Sequence, residues 1–473
     1  MNLRILLLTI FTSISATLLA QQSAEEILQQ AKSYYEQDQT RQALNLFSKY
    51  IAMDSSNAYA FYLRGNCYAD VNQIEMSKSD YMTAIALDPE LANVYYNLGN
   101  TYESMEQLDS AEYYFRIYIR KDSTETDGLV RLGNVLKYQD KTDSVLYYFE
   151  KAYAMDSSNL MTTYFLSQEY YGMANFERTI ELSRTAQKID SLDINFYLFH
   201  GLSAIKLGRF EEALQKAEAA IAIDSVNIDA ILLAIEAEIL SQTKPESIQM
   251  DSSYRYKFTN YRSSQLSELL SREDLAMADW SQLIEQKQVL GLDQYFEHYI
   301  AQSKNESYSP YSARGNVQLR EFWQSENLAE VANMAPDVIS TCPLNLDDLY
   351  KVAVANYMTG DIKGFRNYYT LYFGLIESLI ATGDGQGFET AFIVASTSDE
   401  YAILHYFGLG SQGQSLHHSE GHSYDVLKTI NDYEEQQDLY FMIDLPFGHL
   451  GSTLSNTGEK KDKKKKKRKN KDK

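Results

Sequence analysis

The sequence predicts a mainly α-helical protein in which a solenoid of helical pairs is followed by further helices and a small C-terminal α+β module. One observation is a fixed interval of 34 residues between the aspartates at Asp54, Asp88, Asp122, Asp156, Asp190 and Asp224. A constant period of this length is typical of stacked helix–turn–helix units. The other observation is a change of pattern near residue 387, where helical periodicity gives way to short apolar runs between polar turns.

Each predicted unit contains two helices that repeat the same order of small and large residues. In the first helix a small residue follows a large one by four positions, as Gly65 follows Phe61. The small residue allows the two helices to approach closely, and large residues fill the groove between them. Residues that end one helix and cap the next, such as Asp54 and Asn57, close the unit. The units begin at Ala24, Ala58, Ala92, Thr126, Leu160 and Ile194.

This pattern resembles the tetratricopeptide repeat (TPR) over six consecutive units, residues 24–227. In the third unit the resemblance is carried by Leu98-Gly99-x-x-Tyr102 and Ala111-x-x-x-Phe115. Ser183 and Thr179 depart from the pattern at a large and a small position. The resemblance implies an array over residues 21–242 that ends in a capping or bridging helix. It also implies non-catalytic association with a protein or peptide partner, bound in the concave groove.

One face of the first helices carries amide and tyrosine side chains at the repeat interval, and the resemblance places this face in the groove. An amide donates and accepts hydrogen bonds, so it suits the backbone of an extended peptide, and tyrosine adds apolar area with a polar tip. The alternative is that the amides only stabilise neighbouring helices. Arg131 is the only basic residue well placed beside them, so capture of a C-terminal carboxylate is not expected. The predicted groove residues are Tyr62, Asn66, Tyr96, Asn100, Arg131, Asn134, Tyr164 and Gln168.

The first twenty residues have the pattern of a secretory signal. Arg4 supplies a positive charge, Ile5 to Phe11 supply an apolar core, and Ala20 precedes a polar run. We therefore expect a signal peptide over residues 1–20, cleaved near Ala20, and a mature protein that works outside the cytoplasm. The alternative is an N-terminal membrane anchor, which the shortness of the apolar run disfavours.

The charge is distributed very unevenly. The net charge is −22, yet Lys460 to Lys473 contain eleven Lys or Arg residues against two Asp residues. The acidic body argues against nucleic acid as the ligand. The Lys-rich tail, residues 458–473, is predicted to be disordered. Its charge suits an acidic envelope surface, and the alternative is a tail that shields the acidic body.

After residue 242 the repeat interval is lost. The sequence predicts a polar linker over 243–272, a helical region of TPR-like character over 273–380 that includes a helical stretch from Glu273 to Leu290, and a small α+β module over 381–457. Within the module we expect a buried strand over 390–395, a short helix over 400–407, and further strands over 414–418, 424–430 and 439–444.

The second half contains several short motifs of aromatic, acidic and glycine residues, namely Tyr308-Ser-Pro-Tyr311, Gly383-Asp-Gly385, Glu389-Thr-Ala-Phe392, Ser398-Asp-Glu-Tyr401, Ser423-Tyr-Asp-Val-Leu427 and Leu439-Tyr-Phe. Through these motifs it resembles the bacterial domain-of-unknown-function family 4919 over roughly residues 260–450. The resemblance implies an extracytoplasmic bacterial protein and adds no activity.

The residues predict neither a cofactor nor a catalytic centre, so an enzyme is not expected. Gly383 to Gly387 follow a helix and precede a strand, the reverse of the order that a phosphate loop requires. His417, His418 and His422 are the candidates for a metal, but their spacing matches no zinc signature and an exposed hairpin tip explains them better. A receptor for a small ligand or metal in the C-terminal module remains the alternative to a protein-binding scaffold.

Overall fold

The computed structural model describes residues 24–251, 255–258, 272, 275, 277–304, 317–341 and 344–445. The chain divides into two compact units, Met1–Ser191 and Leu192–Lys473. The predicted signal peptide, the segment Tyr308 to Tyr311 and the Lys-rich tail lie outside the described residues. Among the helices that are described, none combines the length and the apolar character that crossing a membrane requires.

The first unit consists of helical pairs whose spacing follows the repeat interval of the sequence, so the predicted helix–turn–helix units are confirmed. Helix α1 covers residues 24–36. It is followed by α2 (Thr40–Met53), α3 (Ala58–Asp70), α4 (Ile74–Leu87), α5 (Ala92–Ser104), α6 (Leu108–Lys121), α7 (Asp127–Tyr138), α8 (Thr142–Met155), α9 (Leu160–Gly172) and α10 (Phe176–Ile189).

The small residues of the first helices lie against aromatic rings of the second helices. A Cβ atom added at Gly133 would lie 2.4 Å from Cε1 of Phe149, and one added at Gly99 would lie 2.7 Å from Cε1 of Phe115. Both rings are fully buried. The interhelical distance in these pairs therefore depends on the absence of a side chain at one position, as the sequence predicts.

The periodic aspartates lie in the turns between the pairs. The Oδ1 atoms of Asp54 and Asp156 accept hydrogen bonds from the backbone amides of Ser56 and Ser158, each at 2.9 Å. The serine hydroxyls donate to the same oxygens, and these bonds together lower the pKa of both carboxyl groups. Asn159 then caps α9, since its Oδ1 accepts from the amide of Thr162 at 2.9 Å. The predicted role of the turn residues is confirmed.

The second unit begins with three helices that continue the repeat pattern, α11 (Ile194–Lys206), α12 (Phe210–Ile223) and α13 (Ile228–Gln242). They belong to this unit because residues later in the chain form a hydrogen bond and an ion pair with the C-terminal end of α13. The amide of Leu292 donates to Thr243 Oγ1 at 2.9 Å, and Arg366 forms a 3.1 Å ion pair with Glu238. The predicted array, residues 21–242, is thus shared between the two compact units.

The remaining elements of the second unit are mostly helices. The sheets contain β1 (Ile248–Met250), β2 (Tyr256–Phe258), β3 (Phe392–Ile393), β4 (Gly410–Ser419), β5 (His422–Ile430) and β6 (Gln436–Met442). The helices are α14 (Trp280–Gln286), α15 (Leu292–Ser303), α16 (Val317–Gln324), α17 (Leu328–Asn333), α18 (Ala335–Thr341), α19 (Leu346–Met358), α20 (Ile362–Ile380) and α21 (Thr397–Tyr406).

Two predictions for residues 243–290 differ from the structure. The linker contains the antiparallel pair β1 and β2, in which the buried ends Ile248 and Phe258 are paired. Among the described residues of the helix predicted from Glu273 to Leu290, only α14 is helical, and Lys287 ends it in the left-handed conformation at φ 53°. Short apolar runs between polar residues carry too little periodicity to define such elements in advance.

The C-terminal module contains a four-stranded mixed sheet in the order β3-β6-β5-β4, so the predicted α+β character is confirmed. β3 is parallel to β6, and the other two pairs are antiparallel. The strand predicted over 390–395 is reduced to two residues, since Phe388–Thr390 form a 3-10 turn. The predicted helix and the other three strands are present with shifted ends, and 383–387 form the predicted helix-to-strand turn.

Candidate functional site

Several predicted groove residues meet in a cavity of about 420 Å³ in the first unit. The cavity is lined mainly by the first helices of three successive pairs, α1, α3 and α5, together with α4 of the second pair. Tyr62, Asn66 and Asn100 are the predicted residues that line it. The sequence analysis missed other lining residues, namely Tyr35, Ala69, Asp70, Ile74, Tyr81, Asn97, Thr101 and Ser104.

Asn66 has a structural role in this cavity. Its Oδ1 accepts a hydrogen bond from the hydroxyl of Tyr81 at 2.7 Å and another from Nδ2 of Asn97 at 2.8 Å. The residue is nearly buried, with 9% of its surface exposed. Because one carbonyl oxygen with two donors is fully satisfied, that oxygen is not available to a peptide. For Asn66 the structure favours the alternative in which the amide stabilises neighbouring helices.

Asn100 lies one repeat later, and its surroundings are different. Its Oδ1 is buried and has no hydrogen-bond partner among the described residues. The repeat interval explains this: the position of Tyr81 is taken by Phe115, which has no hydroxyl, and that of Asn97 is taken by Arg131. A buried acceptor without a partner costs roughly 1–3 kcal/mol, so a donor supplied by a ligand would stabilise this site.

Arg131 lies near Glu103, which is on the first helix of the preceding pair. Its Nη1 lies 3.9 Å from Oε2 of Glu103, and its Nε is buried without a hydrogen-bond partner in the described part of the chain. Tyr96, another predicted groove residue, packs its ring against Phe115 and Tyr118 at centroid distances of 5.9 and 5.2 Å. Burial raises the pKa of Glu103, and the charge of Arg131 opposes that rise.

The last three predicted residues continue along the first helices α7 and α9. Asn134 is half-buried. Two repeats after Tyr81 and Asn97, the donors to Asn66, the sequence has Phe149 and Phe165, which cannot donate a side-chain hydrogen bond. Tyr164 packs edge-on against Phe165 at 5.6 Å. Gln168 is exposed, and its Oε1 accepts a hydrogen bond from Nζ of Lys137 at 3.2 Å. The predicted groove residues on α7 and α9 therefore lack the buried hydrogen bonds that hold Asn66.

Three carboxyl groups of the second unit, those of Asp399, Glu400 and Asp425, form a second set of buried polar groups. Glu400 on α21 is fully buried, and neither of its carboxyl oxygens has a hydrogen-bond partner among the described residues. Asp425 on β5 is also buried and accepts a hydrogen bond from Gln414. Burial, followed by the charges of Asp425 and Asp399, raises the pKa of Glu400 to about 9. At neutral pH Glu400 is therefore protonated.

Asp399 is the best-bonded member of this group. It accepts from the hydroxyl of Tyr299 and, at 3.1 Å, from the amide of Ser396. The Tyr299 hydroxyl in turn accepts from the amide of Ala395 at 2.6 Å. Burial raises the pKa of Asp399 to about 7, although these hydrogen bonds act in the opposite direction. This network connects α15, the loop before α21 and α21 itself.

Comparison with protein families assigns both halves of the chain. Tetratricopeptide-repeat models match residues 28–75 and 80–113, and the model of a domain of unknown function, DUF4919, matches residues 280–448. The chain carries TPR repeats followed by a DUF4919 domain. A further model, anaphase-promoting complex (cyclosome) subunit 3, matches residues 139–220. The TPR is a protein-interaction repeat and is typically non-catalytic, and the comparison identifies no enzyme family.

Solved structures similar to this chain include TPR proteins. YrrB, described as a TPR protein with an unusual peptide-binding site, is 21% identical with a TM-score of 0.35, covering 39% of this chain and 96% of YrrB. PilF of Pseudomonas aeruginosa is 15% identical with a TM-score of 0.40, covering 45% and 96%. PilW, a type IV pilus biogenesis factor, is 16% identical with a TM-score of 0.39, covering 45% and 98%. No curated protein sequence matches the chain.

The histidines of the DUF4919 domain do not converge. In the hairpin formed by β4 and β5, His418 is paired with Ser423 and His422 with Ser419. Adjacent positions of a strand face opposite sides of the sheet, so His418 and His422 lie on opposite faces, and His417 shares the face of His422. His422 Nδ1 lies 2.5 Å from Oδ2 of Asp444. Among the described residues no group of three or more His, Cys, Asp or Glu side chains could hold a metal.

The sequence analysis also missed the three buried carboxyl groups of the DUF4919 domain. Asp399, Glu400 and Asp425 all lie in segments that carry the family resemblance, Ser398 to Tyr401 and Ser423 to Leu427. Acidic residues at the start of a helix are ordinarily exposed and favourable there, so the sequence offered no sign of burial. Asp425 belongs to a run of four buried residues in β5 that breaks the usual alternation of a strand.

Proposed function

We propose that the protein is a non-catalytic scaffold whose TPR groove binds an extended segment of a protein partner. The observation that carries the proposal is the buried, unpartnered Oδ1 of Asn100 in the cavity between the first helices. A backbone amide of an extended peptide is a donor of the required kind. Tyr35, Tyr62 and Tyr81 line the same cavity and supply apolar area near that contact.

The positions of Asn100 and Asn134 favour an elongated ligand. Asn100 and Asn134 are separated by one repeat and hold equivalent positions on α5 and α7, and each lacks the hydroxyl and amide donors that surround Asn66. Because equivalent positions of stacked pairs lie side by side along the groove, an extended chain would meet the two amides in succession. The carboxylates of Asp70 and Glu103 favour a peptide that carries no strong negative charge at this point.

We place this function in the bacterial envelope. The support is the secretory pattern over residues 1–20, with the family resemblance of the second half as a further indication. The Lys-rich tail suits an additional contact with an acidic envelope surface. Deleting residues 460–473 should reduce envelope association at low salt, and unchanged association would remove this part of the proposal.

The groove is tested by replacing both free amides, Asn100→Ala with Asn134→Ala, in the chain without residues 1–20. Peptides are first selected from a displayed library with the unaltered protein, and their dissociation constants are then measured for the unaltered and the variant protein. We expect roughly tenfold weaker binding, which corresponds to about 1.4 kcal/mol, without loss of helicity by circular dichroism.

A matched control removes two exposed amides from second helices, Gln42→Ala with Gln215→Ala. Its affinity should equal that of the unaltered protein. Equal affinity of the groove variant and the unaltered protein for every selected peptide would contradict the proposal. Asn66 is left intact, because its loss would leave Tyr81 and Asn97 without their shared acceptor and would disturb the fold.

A further inference from the structure

The second unit contains a larger cavity, of about 590 Å³, that is distinct from the TPR groove. Its apolar wall is formed by Trp280, Leu283 and Ile284 of α14 together with Leu371 of α20. The ring of Trp280 is stacked parallel to that of Tyr295, with the centroids 6.4 Å apart. The volume lies within the range of small-molecule sites, and such sites are mostly apolar with a few placed polar groups.

The polar part of this cavity is predominantly basic. Lys287, Lys363 and Arg366 line it, and Glu238 is the acidic residue beside them. Arg366 pairs with Glu238 at 3.1 Å, whereas Lys287 and Lys363 form no ion pair within the described part of the chain. An excess of positive charge at one cavity is unusual in a protein with a net charge of −22. Charge complementarity therefore requires an anion.

We propose that this cavity binds a small organic anion: a carboxylate or phosphate group attached to an apolar body of about the size of a short acyl chain. The two unpaired lysines and the free donors of Arg366 would hold the anionic group, and the wall formed by Trp280, Leu283, Ile284 and Leu371 would bury the apolar body. This site lies outside the predicted α+β module and does not depend on the proposed groove function.

The chain offers a local reporter for this site. Trp280 and Trp323 are its two tryptophans, and Trp280 lines the cavity. In a Trp323→Phe background the fluorescence of Trp280 reports on occupation of the cavity directly. The probes are octanoate and octyl phosphate, which combine both parts of the proposed ligand, acetate and inorganic phosphate, which lack the apolar body, and octylamine, which has the opposite charge.

We expect saturable fluorescence changes with octanoate or octyl phosphate, weaker at high salt, and no saturation with acetate, phosphate or octylamine. The comparison of octanoate with octyl phosphate identifies the preferred anionic group. Replacing both lysines, Lys287→Gln with Lys363→Gln, should weaken binding at least roughly tenfold. The control Lys428→Gln removes one exposed lysine of the DUF4919 domain and should leave binding unchanged.

Three results would overturn the proposal: no saturable binding of either amphiphilic anion, equal binding of octylamine, or full affinity in the double lysine variant. Because Lys287 and Lys363 are both exposed, their replacement should not prevent folding. Circular dichroism of the double variant verifies this, and an unfolded double variant is replaced by the single variant Lys363→Gln with the same expected direction.

Discussion

The turn aspartates of the first unit and the buried carboxyl groups of the second unit have pKa values shifted in opposite directions. In the TPR repeats of the first unit the periodic aspartates lie in turns, where local hydrogen bonds lower the pKa of Asp54 and Asp156. In the second unit Glu400 and Asp399 are buried, and burial raises their pKa values to about 9 and about 7. The first arrangement repeats with the sequence, while the second depends on long-range packing. The difference implies that these two sets of carboxyl groups make stability depend on pH in opposite directions.

The range of the polar contacts shows the same contrast. Asn66 of the array bonds to residues 15 and 31 positions away, that is, within its own and the next repeat. In the second unit Tyr299 and Asp399 are 100 positions apart, and Arg366 and Glu238 are 128 apart. A repeat array can therefore lose one contact locally, whereas the second unit is expected to unfold as a whole.

The largest expected effect is the pH dependence of the second unit. The folded protein keeps the proton on Glu400 between the ordinary pKa of 4.5 and its raised value of about 9, while the unfolded chain releases it. The free energy of unfolding should therefore fall with rising pH, by at most about 1.4 kcal/mol per pH unit from this group. The variant Glu400→Gln cannot ionise, so it should gain stability relative to the unaltered protein as the pH rises, by at most about 4 kcal/mol between about pH 5 and pH 8.

This difference is measured by chemical denaturation followed by tryptophan fluorescence, because both tryptophans belong to the second unit. The control Glu389→Gln changes an exposed carboxylate and should follow the pH profile of the unaltered protein. Parallel pH profiles of Glu400→Gln and the unaltered protein would show that Glu400 is not protonated in the folded state. The turn aspartates act in the opposite sense, since a lowered pKa gives stability that is lost as the pH falls.

A smaller effect is expected from close packing in the array. In Gly133→Ala the new Cβ would lie 2.4 Å from a ring carbon of the buried Phe149, so the pair must separate. We expect a loss of about 1–3 kcal/mol in the free energy of unfolding, measured by circular dichroism. Gly172→Ala at the end of α9 is the matched control, because nothing lies within 4 Å of its Cβ position. The control should be neutral or slightly stabilising, and equal losses in both variants would contradict the packing argument.

The smallest effect concerns a helix cap. Asn159→Ala removes the 2.9 Å hydrogen bond to the amide of Thr162 and should cost about 1 kcal/mol of stability. Gln107 is the N-cap residue of α6, a second helix, and its side chain forms no cap hydrogen bond, so Gln107→Ala should cost much less. The comparison uses urea midpoints from circular dichroism. A Gln107 variant as unstable as the Asn159 variant would mean that the cap bond is unimportant.

The repeats could be predicted from the sequence because every contact that defines them recurs at one interval. The contrast between Asn66 and Asn100 was not predicted, although its cause is in the sequence: Tyr81 is replaced by Phe115, one repeat later. The short strands β1 and β2 and the early end of α14 were also missed, because their stability comes from packing rather than periodicity. Whether the groove residues bind a partner stays a prediction.

The structure of the DUF4919 domain was harder to predict from the sequence than that of the repeats. Glu400 lies in the first turn of α21, a helix with ordinary capping chemistry, yet its side chain is fully buried and close enough to Asp425 of β5 to feel its charge. No local pattern marks such a residue, since acidic side chains near a helix start are normally solvated. The residues that line the larger cavity, Trp280 and three basic residues among them, are likewise far apart in sequence, from Ser225 to Leu371. Only the fold brings them together.

The unpartnered oxygen of Asn100 has one more consequence, which concerns the symmetry of the array. A perfectly regular solenoid presents the same surface at every repeat, so a bound chain could shift by one unit at no cost in free energy. The replacement of Tyr81 by Phe115 and of Asn97 by Arg131, one repeat later, removes that equivalence. Under the proposed function, this irregularity is what fixes the register of a partner along the groove.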